Sequence, residues 1–151
     1  MASNGKSTSS SDHVLKEKNG VYWLKKGETY WVKSDKTEKA AENTLKFFDK
    51  AIQLEPLNFQ AWANKGLILK NMGRVDDALA CYDRALGIQP NFVNGWYNKG
   101  VLLGSIGRYK TAKKCFKQVL TLDPSNNLAK RDLRVLKEML KKKQKKRRLR
   151  N

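Results

Sequence analysis

Histidine and long apolar runs are scarce in this chain of 151 residues, and each shortage excludes a class of protein. The single histidine, His13, lies near the amino terminus, so neither a histidine-based catalytic triad nor a two-histidine metal site can be assembled. The longest uncharged apolar-rich run, 100–107, is far shorter than the roughly 18 residues that a membrane span needs. We therefore expect no enzyme, no bound cofactor and no membrane-spanning helix.

Cysteine and proline are also few, and both are regularly placed. Cys81 and Cys115 are 34 positions apart, so they would occupy equivalent points on stacked structural units. A spacing of about 10 Å between packed helices exceeds the roughly 7 Å between Cα atoms that a disulfide tolerates. We therefore expect two buried free thiols. The three prolines, Pro56, Pro90 and Pro124, share the same spacing.

The amino-terminal segment, 1–18, has no apolar core of a secretory signal, and its first 12 residues are mostly Ser, Thr, Asn and Gly. This composition predicts a disordered leader. It also predicts a cytoplasmic protein, or a nuclear one if the source is eukaryotic.

One stretch of the chain, 62–90, is repeated almost position for position at 96–124. The shared residues recur with a period of 34: Trp62, Lys65, Gly66, Gly73, Arg74, Ala78, Tyr82 and Pro90 correspond to Trp96, Lys99, Gly100, Gly107, Arg108, Ala112, Phe116 and Pro124. A third, imperfect copy ends at Pro56 and holds five extra residues between Tyr30 and Thr44. A fixed period of this length indicates a supersecondary unit that buries its apolar face only by stacking on its neighbours.

Local signals predict that each unit is a pair of helices. Gly73 and Gly107 stand where a glycine in left-handed geometry ends the first helix of a pair. The expected helix N-caps are polar residues: Asn58, Asn91, Asn126 and, in a capping box with Glu38, Asp35. We expect helices near 20–33, 38–54, 59–72, 75–88, 93–106 and 109–122, and a last helix that runs from 127 into the lysine-rich end.

These residues resemble the tetratricopeptide repeat family, whose pattern places an aromatic residue and a glycine in the first helix. The second helix of that pattern holds an alanine, an aromatic residue, another alanine and a terminal proline. The resemblance implies an all-α, right-handed α-solenoid of three helix hairpins plus a capping helix. Its implied boundaries are a repeat domain at 19–140, with repeats at about 20–57, 59–92 and 93–126 and the capping helix at 127–140, and a basic tail at 141–151.

Small residues in the pattern have a steric role, and a few positions depart from it. Gly66 and Gly100 are expected to let the two helices of a pair approach closely. Lys65 and Lys99 stand where the family favours leucine, and Thr44 stands where alanine is usual.

Proteins that resemble this family generally bind peptide segments on a concave face lined by the first helix of each pair. The resemblance implies that Lys25, Asn64 and Asn98, two residues after successive tryptophans, occupy equivalent groove positions. An amide side chain both donates to and accepts from a peptide backbone, which suits an extended ligand. The alternative is that these amides are a structural preference of the family. The candidate groove residues are Lys25, Gln60, Asn64, Lys70, Asn94, Tyr97 and Asn98.

One subtype of the family holds the carboxylate at a chaperone's carboxyl terminus with a clamp of lysine, asparagine and arginine side chains. In this chain only Asn64 matches the clamp. Leu24 and Glu28 stand at the clamp positions of the first pair, and Asn94 and Asn98 at those of the third. Because the cations are missing, the sequence disfavours chaperone-tail binding by that mechanism.

The carboxyl-terminal segment carries most of the excess charge. Residues 130–151 hold 12 basic and 2 acidic residues, whereas the whole chain has a net charge of +18. The tail is expected to bind nucleic acid or another polyanion with steep salt dependence, and without base readout because it lacks aromatic residues. A nuclear-import signal, an anionic membrane surface and a solubilising end are alternatives. The candidate tail residues are Lys141, Lys142, Lys143, Lys145, Lys146, Arg147, Arg148 and Arg150.

The preferred hypothesis is therefore a non-enzymatic adaptor that binds an extended peptide segment of a protein partner in the groove. Its tail would dock the assembly on an acidic surface. The alternative is a nucleic-acid- or ribosome-associated protein that acts mainly through the tail.

Overall fold

The computed structural model describes residues 19–149, which form seven α-helices joined by short turns. They are α1 (Gly20–Lys33), α2 (Glu38–Leu54), α3 (Phe59–Asn71), α4 (Val75–Ile88), α5 (Val93–Ser105), α6 (Tyr109–Leu122) and α7 (Asn127–Arg148). Each helix packs against the next one, α1 also contacts α3, and α3 also contacts α5. The chain is therefore an all-α solenoid of three hairpins and a final helix. The expected leader, including His13, lies outside the described residues.

Side chains cap four of the helix starts by accepting a hydrogen bond from a backbone N–H three residues on; the caps are Asn19, Thr37, Asn58 and Asn126. Two predicted caps are wrong. Asp35 accepts from the backbone N–H and the hydroxyl of Thr37, and Thr37 caps α2 in its place. Asn91 precedes the cap position of α5, which Phe92 holds. The Phe92 ring lies edge-on to Phe59, with the ring centroids 5.0 Å apart, so packing takes the place of a polar cap.

The core repeats one packing arrangement three times. An aromatic ring from the second helix of each pair lies against a glycine of the first helix; the pairs are Phe48 with Gly27, Tyr82 with Gly66 and Phe116 with Gly100. A β-carbon at Gly66 would lie 3.0 Å from the Tyr82 ring, and one at Gly100 would lie 3.0 Å from the Phe116 ring. These distances confirm the expected close approach, because a larger residue would push the helices apart.

The turns within the hairpins follow the predicted geometry. Gly73 and Gly107 have φ angles of 74° and 77°, which are left-handed. The extra residues of the first copy mostly lengthen its second helix. α2 begins at Glu38, six residues before Thr44, whereas α4 begins only three residues before Ala78, the position equivalent to Thr44. Thr44 is fully buried, and its hydroxyl donates to a backbone carbonyl of its own helix at 2.7 Å. The polar atom at this alanine position is thus satisfied.

The two lysines that depart from the family pattern link successive hairpins. Lys65 of α3 forms an ion pair with Asp49 of α2, with 2.6 Å between Nζ and Oδ1. Lys99 of α5 forms the equivalent pair with Asp83 of α4. Each ammonium group also lies over the ring of the tryptophan three residues earlier, at 5.9 Å and 5.7 Å from the ring centroid. A polar bridge between repeats thereby stands where the family pattern favours leucine.

Candidate functional site

The first helices of the hairpins and α7 form one row, and polar side chains join neighbouring helices at its first and last junctions. At the first junction, Asn64 Nδ2 donates to Glu28 Oε1 at 2.7 Å. This bond uses one N–H of the Asn64 amide and leaves its carbonyl oxygen with no hydrogen-bond donor from residues 19–149. The half-buried amide is therefore held in place while its acceptor stays available to a ligand.

The last junction of the row repeats this arrangement with different residues. The Tyr97 hydroxyl of α5 donates to Asp132 Oδ2 of α7 at 2.8 Å, and Arg131 Nε donates to the other carboxylate oxygen at 2.9 Å. Burial, and secondly the hydrogen bond to Asp132, raise the pKa of Tyr97. The phenol therefore stays neutral and keeps its proton in this bond at physiological pH.

An apolar cavity lies beside this junction. Its volume is about 180 Å³, and α5 and α7 supply most of its walls, with Val101, Val135 and Met139 among the lining residues. Val135 is 45% exposed and Met139 is 42% exposed, so the cavity opens to the surface. A cavity of this kind accepts an apolar side chain next to the carboxylate of Asp132.

The predicted groove residues lie on the first helices of the three hairpins. Gln60 and Asn94 are exposed in the first turns of α3 and α5, Asn98 is half-buried one turn after Asn94, and Lys70 is half-buried in the last turn of α3. Lys25 is on α1 and lines a cavity of about 810 Å³ between α1 and α2. The side chain that meets Asn64 from α1 is Glu28 and not Lys25.

Asp132 is a residue of this row that sequence reasoning missed. It lies 34 positions, one full repeat, after Asn98, so the repeat period predicts its place in the row. The signal is weak because α7 has a lysine, Lys130, where the repeats have tryptophan. Glu28 was recognised only as a mismatch to the clamp, whereas in the structure it holds the Asn64 amide.

The basic tail is not separate from the capping helix. As predicted, the last helix runs into the lysine-rich end: α7 extends without a break from Asn127 to Arg148, across the proposed boundary at 140 and 141. Seven of the candidate tail cations therefore lie on a helix, and Arg150 lies outside the described residues. Lys141 forms an ion pair with Glu138, with Nζ and Oε1 3.3 Å apart. Ala129, Leu133 and Leu136 of the same helix are buried.

Other chemistry is limited in the part of the chain that the structure describes. Cys81 and Cys115 are buried free thiols, as expected, and burial raises the pKa of both. Residues 19–149 contain no group of three or more His, Cys, Asp or Glu side chains that could hold a metal ion. Within the same residues, no helix has the length and apolar character required to cross a bilayer.

Comparison with known sequences finds repeat families that match the repeated units. The sequence model of the tetratricopeptide repeat matches residues 59–92 and 93–126, and that of the protein prenyltransferase alpha subunit repeat matches residues 41–72. An uncharacterised protein of Methanocaldococcus jannaschii is 39% identical over 61 residues, which are 40% of this chain and 65% of that protein. The chain thus spans less than two thirds of the length of this relative.

Comparison with solved structures finds domains of the same fold. The first tetratricopeptide repeat domain of human RPAP3 is 18% identical, covers 83% of this chain and 95% of its own, and has a TM-score of 0.74. The first such domain of Spaghetti (RPAP3), solved with the HSP90 peptide SRMEEVD, is 18% identical over 81% of this chain and 93% of its own, with a TM-score of 0.74. The Arabidopsis OM64 domain is 22% identical over 79% of this chain and 94% of its own, with a TM-score of 0.70.

Proposed function

Because the chain belongs to the tetratricopeptide repeat family, we propose that it is a non-enzymatic adaptor that binds an extended segment of another protein along its row of first helices. The observation that carries the proposal is a series of four amide side chains on α3 and α5, followed by the apolar cavity between α5 and α7. The amides are those of Gln60, Asn64, Asn94 and Asn98. Amides bind the backbone of an extended chain, and the cavity takes one apolar side chain from it.

Two carboxylates of the row bear on which segments it would accept. The RPAP3 domain was solved with SRMEEVD, a segment with three acidic residues. In this chain the carboxylate of Glu28 occupies the first junction, and that of Asp132 the last. Like charges repel across a short distance, so we propose a neutral or basic ligand segment with an apolar residue. An acidic carboxyl-terminal ligand is disfavoured.

The test begins with selection of peptides from a displayed random library on the full chain, followed by affinity measurement with labelled synthetic peptides. Asn64→Ala with Asn98→Ala should weaken the selected peptides about tenfold, because each lost hydrogen bond contributes about 0.5–1.5 kcal/mol. The peptide SRMEEVD should show no measurable binding to the parent protein.

The control is a pair of exposed amides outside the row, Gln53 of α2 and Gln89 after α4, both changed to alanine. Peptide affinity should be unchanged in this variant. Selected peptides that bind equally well to both double variants, or that are predominantly acidic, would contradict the proposed groove. Circular dichroism must show the same helix content in all proteins.

A further inference from the structure

The basic part of α7 lies against the turn that precedes α6. A cavity of about 380 Å³ separates the two elements, and four cations converge on it: Arg108 and Lys110 from the turn and the start of α6, and Lys143 and Arg147 from α7. The sequence indicates the cations of the tail, and the fold places Arg108 and Lys110 opposite them.

An aromatic residue lies at the centre of this surface. Tyr109 lines the first cavity and also a second one of about 560 Å³, in which its neighbours are Met139, Leu149 and four lysines of α7; these are Lys142, Lys143, Lys145 and Lys146. No acidic residue among the described residues lines either cavity. Tyr109 is half-buried and packs against the core, so its position is fixed.

We propose that Arg108, Tyr109 and Lys110 form, together with the basic part of α7, a composite binding surface for single-stranded nucleic acid. Guanidinium and ammonium groups on both sides of a cleft neutralise the phosphates of one strand, and an aromatic ring between them stacks with a base. The arginines favour phosphate in particular, because a guanidinium group binds it in a bidentate manner.

The structure favours this ligand over an anionic membrane. A helix that lies in a membrane surface needs a free apolar face. The last hairpin buries Ala129, Leu133 and Leu136 of α7, and the partly exposed Val135 and Met139 line the cavity beside Asp132. Its cations also face in several directions, including into the cleft beside Arg108, which a planar surface cannot enter.

The test measures binding of a fluorescein-labelled oligouridylate to the full chain by anisotropy over a range of KCl concentrations. Arg108→Gln with Lys110→Gln removes two phosphate contacts. The slope of log affinity against log salt should therefore become shallower by about 1.4, and affinity at about 0.1 M salt should fall about 25-fold. Tyr109→Leu should weaken oligouridylate at least about fivefold and leave inorganic polyphosphate binding unchanged.

The charge-matched control is Lys114→Gln with Lys117→Gln, which changes two exposed lysines of α6 outside both cavities. Its salt slope should stay close to that of the parent. Equal slopes for the two double variants would overturn the composite surface, because the tail would then act alone.

Two further outcomes would also overturn the proposal. One is binding of duplex DNA that equals that of the single strand and does not depend on Tyr109. The other is binding to phosphatidylserine vesicles that depends on Arg108 and Lys110 while oligouridylate binding does not. The thermal unfolding of each variant is recorded, so that a loss of folding is not taken for a loss of contacts.

Discussion

Tyr82 has the same place in the second hairpin as a phenylalanine in the other two. Phe48 and Phe116 lie 34 positions before and after it, and all three rings are buried. The Tyr82 hydroxyl has no hydrogen-bond partner among residues 19–149. A buried hydroxyl without a partner costs free energy, so this residue contributes less to stability than its neighbours in the stack.

Tyr82→Phe is expected to increase the free energy of unfolding by about 1 kcal/mol, because it removes an unpaired buried polar group and keeps the ring. Urea unfolding followed by circular dichroism measures this change. The control, Tyr97→Phe, should decrease stability instead, because the Tyr97 hydroxyl donates to Asp132.

The same variant has a defined pH dependence. Burial raises the pKa of Tyr82 above the ordinary value of 10.0, so the unfolded chain loses this proton first. The stability that depends on the protonated Tyr82 hydroxyl is fully present below the ordinary pKa of the phenol. It is lost as pH rises through the folded-state pKa. The advantage of Tyr82→Phe over the parent should therefore begin to grow at about pH 9 and still be increasing at about pH 11. A constant difference would show that the hydroxyl is hydrated in the folded state.

The helices themselves were largely predictable, because their limits depend on local chemistry. Repeat spacing, glycine at the turns and proline after the second helices gave limits within about a residue for the first six helices. Asp35 and Asn91 were predicted as caps from residue type alone, and packing or a neighbouring hydroxyl decided otherwise. The junction contacts of Glu28 and Asp132 join residues 36 and 35 positions apart, so only the fold brings them together.

Two helical glycines, one packed against a ring and one exposed, allow a matched test of helix packing. A β-carbon at Gly27 of α1 would lie 2.7 Å from the Phe48 ring, whereas one at Gly87 of α4 would meet no atom of residues 19–149 within 4 Å. Gly27→Ala should lower the free energy of unfolding by about 1–3 kcal/mol, because the hairpin must open. Gly87→Ala should raise it by up to about 1 kcal/mol, through helix propensity alone.

Guanidinium chloride unfolding of both glycine variants checks this contrast. If both substitutions stabilise the protein, the first hairpin is more loosely packed than the structure describes. If both destabilise it, Gly87 has a role at the end of α4 that its surroundings do not indicate.

The whole molecule combines a nearly balanced repeat domain with one strongly basic end on a single helix. The first part of α7 covers the last hairpin through Ala129, Leu133 and Leu136, and the second part carries the charge. Burial of a leucine contributes about 1.5–3 kcal/mol, so the first part stabilises the solenoid. The like charges of the second part repel one another, so this part does not stabilise the solenoid.

Two truncations should separate these roles. Removal of 141–151 is expected to leave the thermal midpoint unchanged or slightly raised at low salt, whereas removal of 127–151 should lower it strongly, because it exposes the apolar surface of the last hairpin. Differential scanning calorimetry at low and high salt measures both. Equal midpoints for the two truncated proteins would contradict a capping role for α7.

The lysine–aspartate bridges between hairpins also give the solenoid a polarity. Each bridge needs an acid on one unit and a lysine on the next, as in the pairs of Asp49 with Lys65 and Asp83 with Lys99. In the first hairpin the lysine position of this register is held by Lys26. In the third hairpin the aspartate position, 34 residues after Asp83, is held by Lys117. A second copy stacked end to end in the same register would have to displace α7 and bring Lys117 against Lys26. The register that joins neighbouring hairpins within one chain thus opposes filament growth between chains.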